Sequence, residues 1–161
     1  MKRNLVKSII LPLSIVLVGC SNKDIKFELN NESKEEIFTM TCTKQKEAES
    51  VSIVYSIAED ETVVGVKTTT TVNLNDYSEL EKEEYIETIN SFYDEVNNKF
   101  ISYSSELTEN EFTYTITIEA KNFTGNDWRK TGIAYELLNE NNYLDANKML
   151  NQVEQNGFSC Q

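Results

Sequence analysis

The sequence predicts an α+β fold: an antiparallel sheet of five or six strands, in the order β-β-β-α-β-β-α, with helices packed on one face. Three observations predict it. Five stretches between residues 36 and 119 alternate apolar and polar residues with the period of two that belongs to a strand with one buried face. Short polar turns separate most of them, which favours antiparallel pairing of neighbours. Two further segments carry apolar residues at helical spacing behind residues suited to cap a helix, one after the third strand and one near residue 145.

The first strand, Glu36 to Lys44, sets Phe38, Met40 and Cys42 against Ile37, Thr39, Thr41 and Thr43. After the turn Gln45 to Glu49, a second strand places Val51, Ile53, Tyr55 and Ile57 on one face. The acidic turn Ala58 to Glu61 leads into a long third strand, Thr62 to Leu74, whose inward row is Val64, Val66, Thr68, Thr70, Val72 and Leu74. The Thr68 to Thr71 run invites a reading as a hydroxyl array; threonine is above all a β-branched strand former, and that role accounts for it. Ser78-Glu79-Leu80-Glu81 fits a capping box, and Glu83 and Glu84 place negative charge in a first turn that favours it. Tyr85, Ile86, Ile89, Phe92, Tyr93 and Val96 then share one helix face, which covers the sheet, and Asn97-Asn98 ends the helix.

Phe100 to Leu107 and Glu111 to Glu119 read as a hairpin about Thr108-Glu109-Asn110, with Ile101, Tyr103, Leu107, Phe112, Tyr114, Ile116 and Ile118 turned inward. Lys121 to Asn126 is a connector, and Asp127 to Leu138 reads as a helix weakened by Gly132. Asn139 to Asn142 interrupts it. Asp145 then caps a last helix with Ala146, Met149, Leu150 and Val153 on one face, and Gly157-Phe158 supplies the left-handed glycine and apolar residue that follow many helices.

Composition narrows the chemistry. The chain has no histidine, so Ser-His and Cys-His nucleophile pairs and the commonest metal ligand are missing. It has no glycine-rich phosphate loop and no nucleophile elbow. Carboxylates are plentiful, but no pair stands out by spacing. The acid clusters Glu59-Asp60-Glu61 and Glu79 to Glu84 read as a turn and a helix start, since a calcium site needs six or more converging oxygens. No cofactor or metal is implied.

At the N-terminus, Lys2, Arg3 and Lys7 flank a short apolar run to Val18, and Leu17-Val18-Gly19-Cys20 closes it. This is secretory-signal anatomy, and the run is too short and too interrupted, by Lys7 and Pro12, for a permanent span. The tetrapeptide resembles the box of bacterial lipoproteins. That resemblance implies a diacylglyceryl thioether on Cys20, cleavage before it, and a location at the cell membrane on its extracytoplasmic side; an ordinary cleaved signal with an incidental cysteine is the alternative. The organisation expected is a signal peptide over 1–19, a lipidated tether over 20–35 with a reach of roughly 20 Å, and one α+β domain over 36–161. Ile25, Phe27 and Leu29 alternate, so a first edge strand is the alternative to a tether there. Loss of the three N-terminal cations leaves 12 of 15 basic residues against 27 acidic ones, a net charge of −15. That sign disfavours nucleic acid and anionic headgroups and suits a cationic or cell-wall ligand, or plain solubility.

With Cys20 acylated, Cys42 and Cys160 remain, in a chain exported to a non-cytosolic side, and a disulfide is the natural reading. It requires the first strand and the C-terminal tail to bring their Cα atoms within about 7 Å. A buried thiol pair or a redox pair is the alternative, although nothing here resembles CxxC. Trp128, Arg129 and Lys130 form the one basic, aromatic spot and a possible contact surface; a tryptophan ring packed on the core is the simpler reading. The place to look for a concave, partly apolar pocket is between the sheet's open face and Trp128 to Leu138, because ligand sites are concave and few.

Element order, the long Thr-rich third strand and the terminal Gly157-Phe158-Ser159-Cys160 are similar to the YehR-like family of small bacterial lipoproteins. The resemblance implies an α+β fold and a cell-envelope location, and it transfers no active-site residue. The leading functional reading is a non-enzymatic binding or interaction module. Its alternatives are a carboxylate-dependent enzyme acting on cell-wall glycan or peptide, which needs two carboxylates about 5 to 10 Å apart in a cleft, and a purely structural surface protein.

Overall fold

The computed structural model describes residues 29–30, 36–96, 99–123, 125–130 and 133–161, without the side chains of 29, 30, 126, 129 and 130. The expected signal peptide, Cys20, nearly all of the expected tether and the helix stop at Asn97-Asn98 lie outside these residues.

Three long strands, β2 (Ile37–Gln45), β3 (Glu49–Ala58) and β4 (Val63–Asn73), form an antiparallel meander. Helix α1 (Glu79–Val96) returns the chain to the hairpin of β5 (Ile101–Leu107) and β6 (Glu111–Ile118). It is β6, the second arm, that pairs with β4, so β5 ends the sheet. Two-residue strands β1 (Leu29–Asn30) and β7 (Ser159–Cys160) both pair with β2, giving the order β1-β2-β3-β4-β6-β5 with β7 beside β2. The structure therefore has the α+β, one-sided architecture expected, and Leu29–Asn30 belongs to the sheet edge. A short helix α2 (Gly125–Lys130) and helix α3 (Ala146–Gln155) follow the hairpin.

Alternation decides what is buried. Cys42, Ile53, Thr68, Ile116 and Tyr103 lie in one row across the five long strands, and Met40, Tyr55, Val66, Ile118 and Ile101 lie in the next. Most of these face the single hydrophobic core beneath the helices. The intervening rows, such as Thr43, Ser52, Thr69, Thr115 and Ser104, face the other side and are half-buried or exposed. On that side Thr69 and Thr115, and Thr71 and Thr113, join hydroxyls across strands at 3.2 and 3.0 Å. Thr68 and Thr70 are buried in the core, so the threonine run splits between the two faces by strand geometry.

One expected inward residue is displaced. Ser56 pairs with Gly65 but Ile57 pairs with Val63, so Val64 is the extra residue of a β-bulge. Val63, in place of Val64, is buried in the core. The bulge reverses the alternation before Gly65, which a constant period of two cannot register.

The helix ends are built as their sequences dictate. Ser78 N–H donates to Glu81 Oε2 at 2.8 Å and Glu81 N–H to Ser78 Oγ at 3.4 Å, a reciprocal capping box. The bonds that the Glu81 carboxyl accepts from the Ser78 N–H and hydroxyl, each at 2.8 Å, hold it below its usual range. The Asp145 carboxylate accepts from Lys148 N–H at 2.9 Å at the start of α3. At its end Gly157 takes φ +82°, Gly157 N–H donates to Glu154 O and Phe158 N–H to Val153 O, which is a Schellman motif. Lys44 of β2 donates to the Asn156 carbonyl and lies over the Phe158 ring, placing a cation at the helix C-terminus. The expected helix over Asp127 to Leu138 is not formed as one element. Instead α2 stops at Lys130, Ile133 N–H bonds back to Trp128 O, and Ala134 is extended before a 3-10 turn at Tyr135–Leu137.

The tail locks onto β2. Thr41 and Gln161 exchange both backbone hydrogen bonds at 2.9 Å, so the next pair, Cys42 and Cys160, occupies the non-hydrogen-bonded position where antiparallel strands approach most closely. Their Cα atoms are 4.0 Å apart and the sulfurs are bonded.

Aromatic rings fasten α1 to the sheet. Tyr93 stacks on Tyr103 at 5.0 Å and 15°, with Tyr114 5.8 Å from Tyr93, and Tyr85 meets Phe112 edge-on at 6.2 Å. Burial raises the phenols of Tyr55, Tyr85, Tyr93 and Tyr103 above the usual tyrosine range. Burial likewise pushes Tyr114 up to about 12, with the nearby Thr70 hydroxyl opposing the shift.

Two outcomes follow from these contacts. The disulfide closes a span of 118 residues, and a loop of that order adds up to about 4.7 kcal/mol in the chain-entropy model; Cys42→Ser/Cys160→Ser is expected to lower the urea midpoint substantially while leaving the far-ultraviolet circular dichroism of the folded state intact. The tyrosine layer is stable as neutral phenol. Because the folded values lie above the unfolded value near 10, its contribution is fully present below pH 10 and is lost as pH rises toward the folded value of about 12 at Tyr114. A spectrophotometric titration of phenolate should show a late, cooperative step coinciding with loss of near-ultraviolet dichroism.

Candidate functional site

The outer flank of α1 is acidic. Glu83, Glu87 and Asp94 recur with Asn90 and Ser91 at intervals of three and four residues, which puts all five along one side of the helix. They line an open groove of about 520 Å³ whose apolar part is Ile86 and Leu107. None of the lining residues carries positive charge; Lys82, on the same helix, is held by Glu79 at 2.8 Å.

Leu107 was expected to point into the core with Tyr103, and it is instead 56% exposed. It faces the same side as its partner Phe112, but Phe112 is covered by Tyr85 while Leu107 lies one strand further out, at the sheet's end. The groove is thus the strip of sheet edge that α1 leaves uncovered. Asn90 fixes the two walls together: its Oδ1 accepts from Tyr103 Oη at 2.6 Å and from Ser105 Oγ at 3.1 Å.

The edge itself is a hydrogen-bonding surface. Glu119 N–H donates to Phe100 O and Thr108 N–H to Glu111 O, both at 2.9 Å, so the even-numbered residues of this arm turn their main chain toward β6. By antiparallel alternation Tyr103, Ser105 and Leu107 turn N–H and C=O outward, along the groove.

At residues 128–130 the tryptophan takes the simpler of its two readings, a ring packed on the core. Trp128 is fully buried, with its ring 4.7 Å from Phe123. Arg129 and Lys130 continue α2, and their side chains lie outside the described residues. Trp128, Leu137 and Leu138 belong to the core, and the groove found lies elsewhere, between α1 and β5. The acid clusters are used locally: Asp60 accepts from Thr62 N–H at 3.1 Å, and Glu61 from Asn147 Nδ2 at 2.8 Å. Among the described residues no group of three His, Cys, Asp or Glu could hold a metal ion, and no Asp or Glu is buried. Glu83 and Glu87 stand side by side on one wall of the groove, where a glycosidase pair would face each other across the scissile bond.

No protein-family model matches the chain, and no curated protein sequence matches it. Two solved structures share its fold. The YehR protein of E. coli aligns over 79% of this chain and 91% of its own, with a TM-score of 0.57 and 13% identity. A protein from Streptococcus pneumoniae TIGR4 aligns over 91% of this chain and 98% of its own, with a TM-score of 0.52 and 14% identity. At such identity the likeness is one of architecture.

Proposed function

We propose that the chain is a cell-envelope lipoprotein of the YehR-like kind, anchored to the membrane through acyl groups on Cys20, and that its domain is a non-enzymatic binding module for a cationic ligand. The observation that carries the binding reading is the groove: three carboxylates and no cation along one wall, exposed apolar carbon at Leu107 and Ile86, and hydrogen-bonding main chain along the other. Carboxylates aligned on one flank attract and orient a cation; they lack the opposed placement that acid-base hydrolysis of a glycan needs.

The anchor reading rests on the lipobox at Leu17 to Cys20 and on the compatibility of the disulfide with an exported chain. Pairing of Leu29 with Phe38 limits the span between Cys20 and the sheet edge to nine residue steps, at most about 32 Å when extended. The domain would therefore sit close to the bilayer, with its strong negative charge opposing contact with anionic headgroups.

Two measurements test this. Metabolic labelling with tritiated palmitate in a bacterial host should tag the full chain and should be lost in Cys20→Ser; equal labelling of the two would overturn the anchor. Oligolysine should bind the full chain with an affinity that falls as salt rises, and Glu83→Gln/Glu87→Gln/Asp94→Asn should weaken it at least tenfold. These side chains are exposed, so the melting temperature should hardly change. Undiminished binding by that variant would remove the groove from the reading.

A further inference from the structure

We propose that the occupant of the groove is an extended basic segment of another protein, added as a new strand along the edge of β5, which no other strand covers among the described residues, with alternate side chains against the acidic flank of α1. This deepens the binding reading and rests on it.

The two edges of the sheet are treated differently. The edge at β2 is covered at both ends, by β1 and by β7, and the second cover is fixed covalently through Cys42 and Cys160. Proteins that leave a strand edge uncovered usually guard it with lysine, proline or a bulge, because its unpaired N–H and C=O groups template further pairing. β5, Ile-Ser-Tyr-Ser-Ser-Glu-Leu, has neither residue, its pairing with β6 is regular throughout, and its one charge, Glu106, lies on the helix-free face opposite Thr113. Three consecutive outward positions, Tyr103, Ser105 and Leu107, offer a donor and an acceptor each, enough for a strand of five or so residues.

What lies beside that edge selects the partner. Helix and strand run alongside each other in opposite directions: Tyr85, near the start of α1, covers Phe112, which pairs with Leu107 at the end of β5, while Tyr93 stacks on Tyr103 nearer the strand's start. An added strand would follow the acidic flank for its whole length. Glu83 and Glu87 are separated by one helical step of about 6 Å, and alternate side chains of a strand by about 6.6 to 6.8 Å. Lysines or arginines at every second position would thus meet successive carboxylates, with the Asn90 and Ser91 polar groups between Glu87 and Asp94. Charge also argues against a second copy of this chain, since edge-to-edge pairing about a two-fold axis would bring the two acidic flanks into the same seam.

The probe is an octapeptide alternating lysine and valine, with spermine as the extended cation that cannot pair with main chain. The full chain should bind the peptide with amides of Tyr103, Ser105 and Leu107 newly protected from hydrogen exchange. N-methylation of alternate residues on one edge of the peptide should weaken binding at least tenfold, whereas methylation of the other edge should be tolerated. Ser105→Pro removes one outward N–H at a position where an edge strand accepts proline; it should lose the peptide while melting at the same temperature as Ser105→Ala, which gives up the same hydroxyl bond to Asn90 but keeps the N–H and should retain the peptide. Peptide binding without protection of those amides, or equal affinity for both methylated forms, would sink strand addition and leave the cation-binding reading in place. Failure of both the peptide and spermine to bind would overturn that reading and this inference with it. Dimerisation of the free chain, abolished by Ser105→Pro, would assign the edge to a second copy and refute the proposal.

Discussion

Every strand in this protein answers to one constraint: the sheet has a single dry side. Side chains alternate across a strand, so half of each one must satisfy the helices while the other half meets solvent. Rows such as Cys42, Ile53, Thr68, Ile116 and Tyr103 can form only if five strands keep register, and a slip of one residue in any of them would carry its apolar set to the wet side. The bulge at Val64 shows how firmly this is enforced. The chain absorbs an additional residue there and still delivers Val63 and Val66 to the same side.

The groove is a by-product of that arrangement. Five long strands at about 4.8 Å spacing make a sheet roughly 19 Å from first to last axis, and a helix with its side chains covers about 10 Å of it. α1 is fastened over β5 and β6 by Tyr93, Tyr103 and Tyr114, and no further helix stands outside it among the described residues. The last inward position of the edge strand, Leu107, therefore has nothing above it. Because α1 must be polar on the flank that solvent reaches, its composition sets the character of the space beside Leu107, and here that flank is carboxylate.

Much of the fold was legible because it depends on local chemistry. The capping box at Ser78 and Glu81, the cap at Asp145 and the left-handed Gly157 are short-range hydrogen-bonding and backbone preferences, and they appear where the residues place them. The cysteine pair was legible by elimination. Two things were not legible, for different reasons. Residues 127–138 lack a clean period, and their described parts are separate pieces: α2, an extended Ala134 and the 3-10 turn at Tyr135–Leu137. The site was hidden because no turn residue says which arm of the hairpin joins the meander; with β5 beside β4, Leu107 would have been interior. The acidic spacing of Glu83, Glu87 and Asp94 was visible, and it gained meaning only once the free edge lay next to it.

The closure at Cys42 has a temporal side. Its partner lies 118 residues further along the chain, so β2, β3 and β4 can pair in turn as the chain emerges while the part of the β2 margin beyond β1 waits for the tail. Contacts so distant along the chain slow folding, since their loop entropy must be met before they contribute. Until the C-terminal lock forms, the part of the β2 margin beyond β1 stays open, and its completion leaves the β5 margin as the open one among the described residues. The order in which the segments become available thus decides which margin of the sheet is left open.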